Sequence, residues 1–179
     1  MRELLKATYN FSDYQIAQLV FLAKTLLSEI SKVIFIGIFF KDDLLFYLTC
    51  ILILSLLRTS TGGLHCKTYF SCLIASCLYI VITLKCLPLI YIGQLPSLVL
   101  LAFCFITDFI IGPVTSDVHL PLSKNAKMRG RICTGITITI IFFFMHMNPQ
   151  NRYVITGFWI TISHTLQLIV AKIKKKGVE

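Results

Sequence analysis

Acidic residues are scarce in this chain: 8 aspartates and glutamates stand against 17 lysines and arginines, a formal net charge of +9 over 179 residues. In a soluble protein that balance would suggest a nucleic-acid partner. Here the basic residues lie between and after long apolar runs, so a bias toward one membrane face explains them and no nucleic acid is expected. A polar stretch long enough for a soluble domain is also missing, since 56% of residues are hydrophobic and the mean hydropathy is +0.82. No two cysteines have the CxxC spacing of a zinc or thioredoxin-type site, and His119, His146 and His164 stand alone, so neither a metal nor another cofactor is expected. The cysteines number 7, an odd count, and Cys50, Cys77, Cys86 and Cys104 sit inside apolar runs, where a thiol behaves as a small hydrophobe. A disulfide framework is therefore not expected. Met1 to Asp13 holds Arg2, Glu3, Lys6 and Asp13 without a short apolar core, so no cleavable signal peptide is expected and the mature chain should start near Met1.

What is present is hydrocarbon in span-sized pieces. A transmembrane helix needs about 20 apolar residues, so the length allows roughly six spans with short loops. From Tyr14 to Lys32, apolar residues recur at helical spacing with polar ones on other faces, which predicts an amphipathic N-terminal region over residues 1–32. That helix is expected to continue through Val33–Phe40 as the first span, with Lys41, Asp42 and Asp43 outside. Further runs are Leu44–Leu57, about Thr68–Tyr91, about Leu95–Ile111, Ile132–Met147 and Tyr153–Ala171. Leu44–Leu57 covers only about 21 Å at the helical rise, against a hydrocarbon core of about 30 Å. Arg58 to His65 are therefore expected in a partly dehydrated layer. The basic tail from Lys172, the basic loop 113–131 and the Arg58/Lys67 region are separated by pairs of spans, so all three should face one side. The positive-inside rule makes that side cytoplasmic. The expected fold is all-α: one polytopic membrane domain over residues 1–179, about six transmembrane helices, both termini cytoplasmic.

Between the second and third runs lies the densest chemistry. Gly62-Gly63 permits a sharp turn, His65 is the one side chain there with an unperturbed pKa near neutrality, and Cys72 follows seven residues later. On one continuous helix that separation gives a shared face but about 10.5 Å along the axis, too far for a hydrogen bond. If the two work together, His65 must sit before the helix, in the turn, and fold back over its first turns. Cys72 would then stand near a helix N-terminus, where the macrodipole favours a thiolate, with a base at hand. The competing reading is a plain glycine loop with an interfacial histidine and a lipid-facing cysteine, and chemistry alone does not choose between them.

Arg58, Gly62-Gly63, His65, Lys67 and Cys72 in a small, basic, multi-span chain resemble the accessory gene regulator B (AgrB) family, the membrane cysteine endopeptidases of Gram-positive quorum sensing. The resemblance extends to Gly112-Pro113 and Pro121 in the basic segment after the fourth span, and covers essentially the whole chain. Cys66 beside the histidine and Asp108 in the fourth span depart from the family pattern without disrupting its motif. The resemblance implies His65 and Cys72 as catalytic base and nucleophile, with Arg58, Gly62, Gly63 and Lys67 as supporting motif. It further implies cleavage of an AgrD-like autoinducing-peptide precursor through an acyl-enzyme thioester, cyclisation to a thiolactone or lactone, and a homodimer in the lipid of the cell membrane with the site at the cytoplasmic face.

Asp108 is a possible orienting acid for the imidazole, or equally a buried partner of Arg58 or Lys67. Lys124, Lys127, Arg129 and Arg131 could attract the acidic part of such a precursor, although topogenic charge alone also accounts for them. Cys66 is a weaker candidate nucleophile, because adjacent helical residues diverge in direction. A peptide exporter using Lys85 and Asp108 as pathway charges is the alternative function, without any visible inverted repeat to support it. A thiol oxidoreductase is disfavoured by the missing CxxC pair.

Overall fold

A computed structural model describes residues 13–62, 69–114 and 123–176. The chain divides into two compact units, residues 1–41 and 42–179. In the first unit, α1 runs unbroken over Asp13–Ile38, so the amphipathic segment does continue into the apolar run that follows it. Lys32 pairs with Glu29 one turn earlier, at 2.7 Å. These two charges, with Lys24, interrupt the apolar character of α1.

The second unit holds α2 (Leu44–Thr61), α3 (Tyr69–Val81), α4 (Gln94–Ile111), α5 (Lys124–Met147) and α6 (Arg152–Lys176). Among the described residues there are 5 helices long and apolar enough to cross a membrane; these are α2 to α6, with α3 extended to Leu89, and α1 is not one of them. Each peripheral helix contributes one inward stripe at i, i+3 and i+4 spacing: Phe46, Cys50, Leu54, Leu57 and Thr61 on α2; Ser97, Leu101, Cys104 and Asp108 on α4; Thr134, Ile138, Ile141 and Met145 on α5. Their other faces, including Leu45, Leu52, Val99, Phe103, Ile136 and Phe143, are exposed and apolar, as lipid contact requires.

Helix α6 differs. It is 56% buried over its apolar window, against 22–28% for the other four, and Thr156 to Thr161 are buried consecutively, right around the helix. It is the central post, packed on α2, α4, α5 and the end of α3. Helices α4 and α5 are antiparallel, since the Gln94 amide donates to the His146 carbonyl at 2.9 Å while Gly112 lies against Arg131. Helices α2 and α6 are parallel: Arg152 pairs with Asp43 at 2.9 Å and stacks 4.1 Å over Phe46, and Thr61 meets His164 at the far end.

Hydroxyls on these helices are mostly satisfied locally. Thr49, Thr59, Ser60, Thr137, Thr139 and Thr156 each donate to the carbonyl four residues back, as a hydroxyl in hydrocarbon must when no other acceptor is near. Helix α3 loosens where Pro88 approaches. Ile82–Cys86 is π-helical and Leu87–Leu89 is 3₁₀, because proline removes a donor and crowds the preceding turn.

Two boundaries differ from the sequence expectation. Helix α2 continues through Arg58 to Thr61, about 27 Å in all, so Arg58 belongs to its last turn rather than to the following loop. Helix α5 begins at Lys124, capped by the Ser123 hydroxyl accepting from the Ala126 amide at 3.2 Å, so the second half of the expected basic loop 113–131 is two helical turns.

Gly130 marks the tightest helix contact. A Cβ there would collide with the Ser60 carbonyl and approach the Pro113 ring to 3.2 Å, whereas a Cβ on Gly93 would meet only Pro96 at 3.7 Å. Gly130→Ala is expected to cost about 1–3 kcal/mol of overpacking, read as a lower unfolding temperature in detergent, with Gly93→Ala as the unaffected control. Equal stability of the two variants would contradict this packing.

Candidate functional site

Two helices end in the same way at the same end of the second unit. At Gly62 the amide donates to the Arg58 carbonyl at 2.8 Å with φ of 82°, and at Gly112 the amide donates to the Asp108 carbonyl at 2.9 Å with φ of 63°. That left-handed conformation is open to glycine at little cost, and it turns each chain sharply out of its helix. A side chain would also not fit. A Cβ on Gly62 would run into the Val114 carbonyl, and one on Gly112 would lie 2.7 Å from Nε of Arg131.

The two turns are bonded to each other through the Val114 amide, which donates to the Thr61 carbonyl at 2.9 Å. Gly130 closes the junction from α5, beneath Ser60 and Pro113. The last turn of α2 and the exit of α4 are therefore one construction, and residues 63–68 start from it.

Of the residues singled out in the sequence, Gly63, His65 and Lys67 lie outside the described residues, as do Cys66 and His119. Cys72 is the fourth residue of α3 and is buried. It heads an inward stripe that continues through Tyr79, Ile80, Thr83 and Leu84. Tyr79 is two turns along the same face of α3 and within electrostatic reach of Arg58. Arg58 is half-buried and acts on His164 of α6 as well.

Asp108 is only 2% exposed and lies on the inward stripe of α4 beside Thr165 and Cys104. Its hydrogen-bonding neighbour is the Thr165 hydroxyl, at a geometry too poor to satisfy either carboxylate oxygen fully. Of the basic residues on α5, Lys124, Lys127 and Arg129 are exposed. Arg131 is half-buried, its guanidinium against Gly112 and 5.7 Å from the Phe109 ring centre. Lys85 stands exposed on the π-helical turn, toward the opposite end from Asp108.

His164 is the residue that sequence reasoning passed over as isolated. It is 1% exposed, and its Nε2 lies 2.6 Å from the Thr61 hydroxyl, 103 residues away. The available signal was its place on α6 among buried neighbours, since a histidine inside a span seldom faces lipid. The most apolar groove of this unit, between α2, α5 and α6 and lined by Ile53, Leu56, Ile140, Phe144 and Gly157, presents no carboxylate, imidazole or thiol. Of the reactive groups, His164 is the one placed at the Thr61 junction. Among the described residues no group of three or more His, Cys, Asp or Glu side chains is placed to hold a metal ion.

Comparison with known proteins gives this arrangement its context. The family described as accessory gene regulator B matches residues 3–170. An AgrB-like protein of Clostridium beijerinckii is 26% identical over 175 residues, covering 93% of this chain and 82% of the relative. No solved structure matches the chain. With a match running from the third residue to the last turns of α6, this multi-pass membrane protein belongs to the accessory gene regulator B family.

Proposed function

We propose that this chain is a membrane cysteine endopeptidase that removes the C-terminal part of an AgrD-like autoinducing-peptide precursor and supports cyclisation of what remains. His65 takes the proton of the Cys72 thiol, and the thiolate attacks the scissile carbonyl. The C–N bond breaks and the departing amine receives that proton from His65, leaving a Cys72 thioester. A cysteine or serine of the precursor then gives up its proton and attacks the thioester. Cys72 is released and regains a proton, and a thiolactone or lactone forms. Exclusion of water favours ring closure over hydrolysis, which suits a reaction at the membrane boundary.

The observation that carries this reading is the position of Cys72: buried, on the α3 face that also carries Tyr79, which lies within electrostatic reach of Arg58. Family membership supplies the precursor as substrate class and quorum-sensing peptide processing as context. Asp108, buried beside the Thr165 hydroxyl, is the candidate to orient His65. The exposed Lys124, Lys127 and Arg129, at the same end, suit the acidic part of a precursor. An exporter would draw on Lys85 and Asp108 as pathway charges, but these stand toward opposite ends of the unit, one exposed and one buried.

The whole chain acts as one membrane domain, as a homodimer in lipid. The basic ends of α2, α5 and α6 define the cytoplasmic side and so the side of the site. Counting α1 as a span gives six, with both termini cytoplasmic.

Two measurements test these points. With full-length protein in lipid vesicles and a candidate precursor, intact mass should show cleavage and a covalent precursor adduct for the wild type, and neither for Cys72→Ala. His65→Ala should lose at least about 100-fold in rate, within the range for a general base. Cleavage by Cys72→Ala at the wild-type rate would refute the nucleophile. For topology, a membrane-impermeant maleimide applied to intact cells should label Asp42→Cys, and label Lys127→Cys only after permeabilisation, in a background lacking native cysteines. Lys6→Cys should behave like Lys127→Cys, and external labelling at that position would reduce the count to five spans.

A further inference from the structure

Thr61 is fully buried and is the last residue of α2 before the Gly62 turn. Its hydroxyl donates to the Leu57 carbonyl at 2.8 Å, one turn back, and also lies 2.6 Å from Nε2 of His164. A hydroxyl has one proton. Taking that proton as directed at Leu57, as in the other threonines of these helices, Oγ1 accepts from the ring and Nε2 carries a hydrogen. Nδ1 then keeps a lone pair, buried and without a hydrogen-bond partner among the described residues. The backbone carbonyl of the same Thr61 accepts from the Val114 amide at 2.9 Å. One residue thus ties α2 to α6 through its side chain and to the α4–α5 connection through its carbonyl, immediately before the segment that carries His65.

Thr61 has no need of the histidine for its own hydrogen bond. Thr49, Thr59, Thr137 and Thr139 are satisfied by the carbonyl four residues back, as Thr61 is by Leu57. An imidazole between membrane helices, with one of its nitrogens left without a partner, is also a poor device for stability alone. What the extra bond does is register α2 against the central helix at the point where the chain turns out.

We infer that His164 is a positioning residue for the proposed peptidase. Its Nε2 hydrogen holds Thr61, and through Thr61 it fixes the Gly62 turn at the end of α2, three residues before His65. His164 touches no reacting atom in this role. The inference rests on the endopeptidase reading above and adds to it a residue that the His65–Cys72 motif does not contain.

The test compares kcat and KM for precursor cleavage in vesicles by the full-length wild type, His164→Ala, His164→Gln, Thr61→Val, Met145→Ala and Cys72→Ala. The glutamine side-chain amide reaches nearly the position of Nε2 and can donate as it does. Met145→Ala makes a cavity at the opposite end of the unit and controls for lost stability. His164→Ala is expected to lower kcat by about 100-fold, the order of loss from misplacing a reacting group by about 1 Å, with KM changed less than about 2-fold. Alkylation of Cys72 by iodoacetamide should slow to the rate found in His65→Ala. His164→Gln should recover most of both rates, and Met145→Ala should lose thermal stability without losing kcat per folded molecule.

If His164→Ala fails to fold, Thr61→Val asks the same question by removing the acceptor with little change of shape, and the same fall in kcat is expected. Wild-type kcat in His164→Ala or Thr61→Val, with Cys72→Ala inactive, would overturn the positioning role alone. Glutamine performing no better than alanine in folded protein would overturn it as well. Cleavage by Cys72→Ala would instead overturn the endopeptidase reading on which the role depends.

Discussion

The end of α2 has to do two things in a medium that offers no water. It must stop a helix without stranding its last carbonyls, and it must hand the chain to a loop in a reproducible direction. Thr61 and Gly62 meet both demands together. The glycine amide caps the Arg58 carbonyl, the Thr61 carbonyl takes the Val114 amide, and the Thr61 hydroxyl takes the His164 ring hydrogen. Gly62 and Gly130 are small because the Val114 and Ser60 carbonyls leave no room for a side chain. The four helices in direct contact there are the ones packed most extensively on one another, so the geometry of the Gly62 turn is inherited from the rigid part of the protein.

Function follows from where that junction stands. A buried thiol on α3, an arginine half-buried in the last turn of α2, and a buried carboxylate in the last turn of α4 lie toward one end of an otherwise apolar unit. Most of the surface of these helices is committed to lipid, and the central helix α6 is committed to packing. Arg58, Cys72, Asp108 and His164 are gathered toward this end of the unit. That concentration suits acyl transfer to an internal nucleophile, where water is the competitor to be excluded.

Much of this was legible in the sequence because it depends on local chemistry. Apolar run lengths give the spans from α2 to α6, Leu87-Pro88 gives the loosened end of α3, and the i, i+4, i+7, i+11 series Ser97, Leu101, Cys104, Asp108 already puts the acid on the stripe that faces inward. The family itself was legible, since it is carried by residue identities at fixed spacing. The helix starts were less so. Lys124 to Arg131 look like a loop by charge, but a serine cap allows helix to begin two turns before the apolar run does. Arg58 is the mirror case, a charge at the end of an apolar run that the helix simply includes. His164 could not be read as a partner of Thr61, because a contact across 103 residues depends on which helices become neighbours, and no local period encodes that. The status of α1 also turns on a balance between Lys24, Glu29 and Lys32 and the apolar run after them, which length alone does not decide.

The claim at the centre is that the junction delivers His65 onto the first turn of α3. The most direct measurement is oxidative cross-linking of His65→Cys to Cys72 in membranes, with the remaining cysteines replaced by serine, read by peptide mapping. A disulfide requires Cα atoms within about 7 Å, so this pair reports the approach itself rather than its consequence for activity. The account expects rapid cross-linking in the native background, slowed when His164→Ala is added. No cross-link in folded, membrane-embedded protein would contradict it.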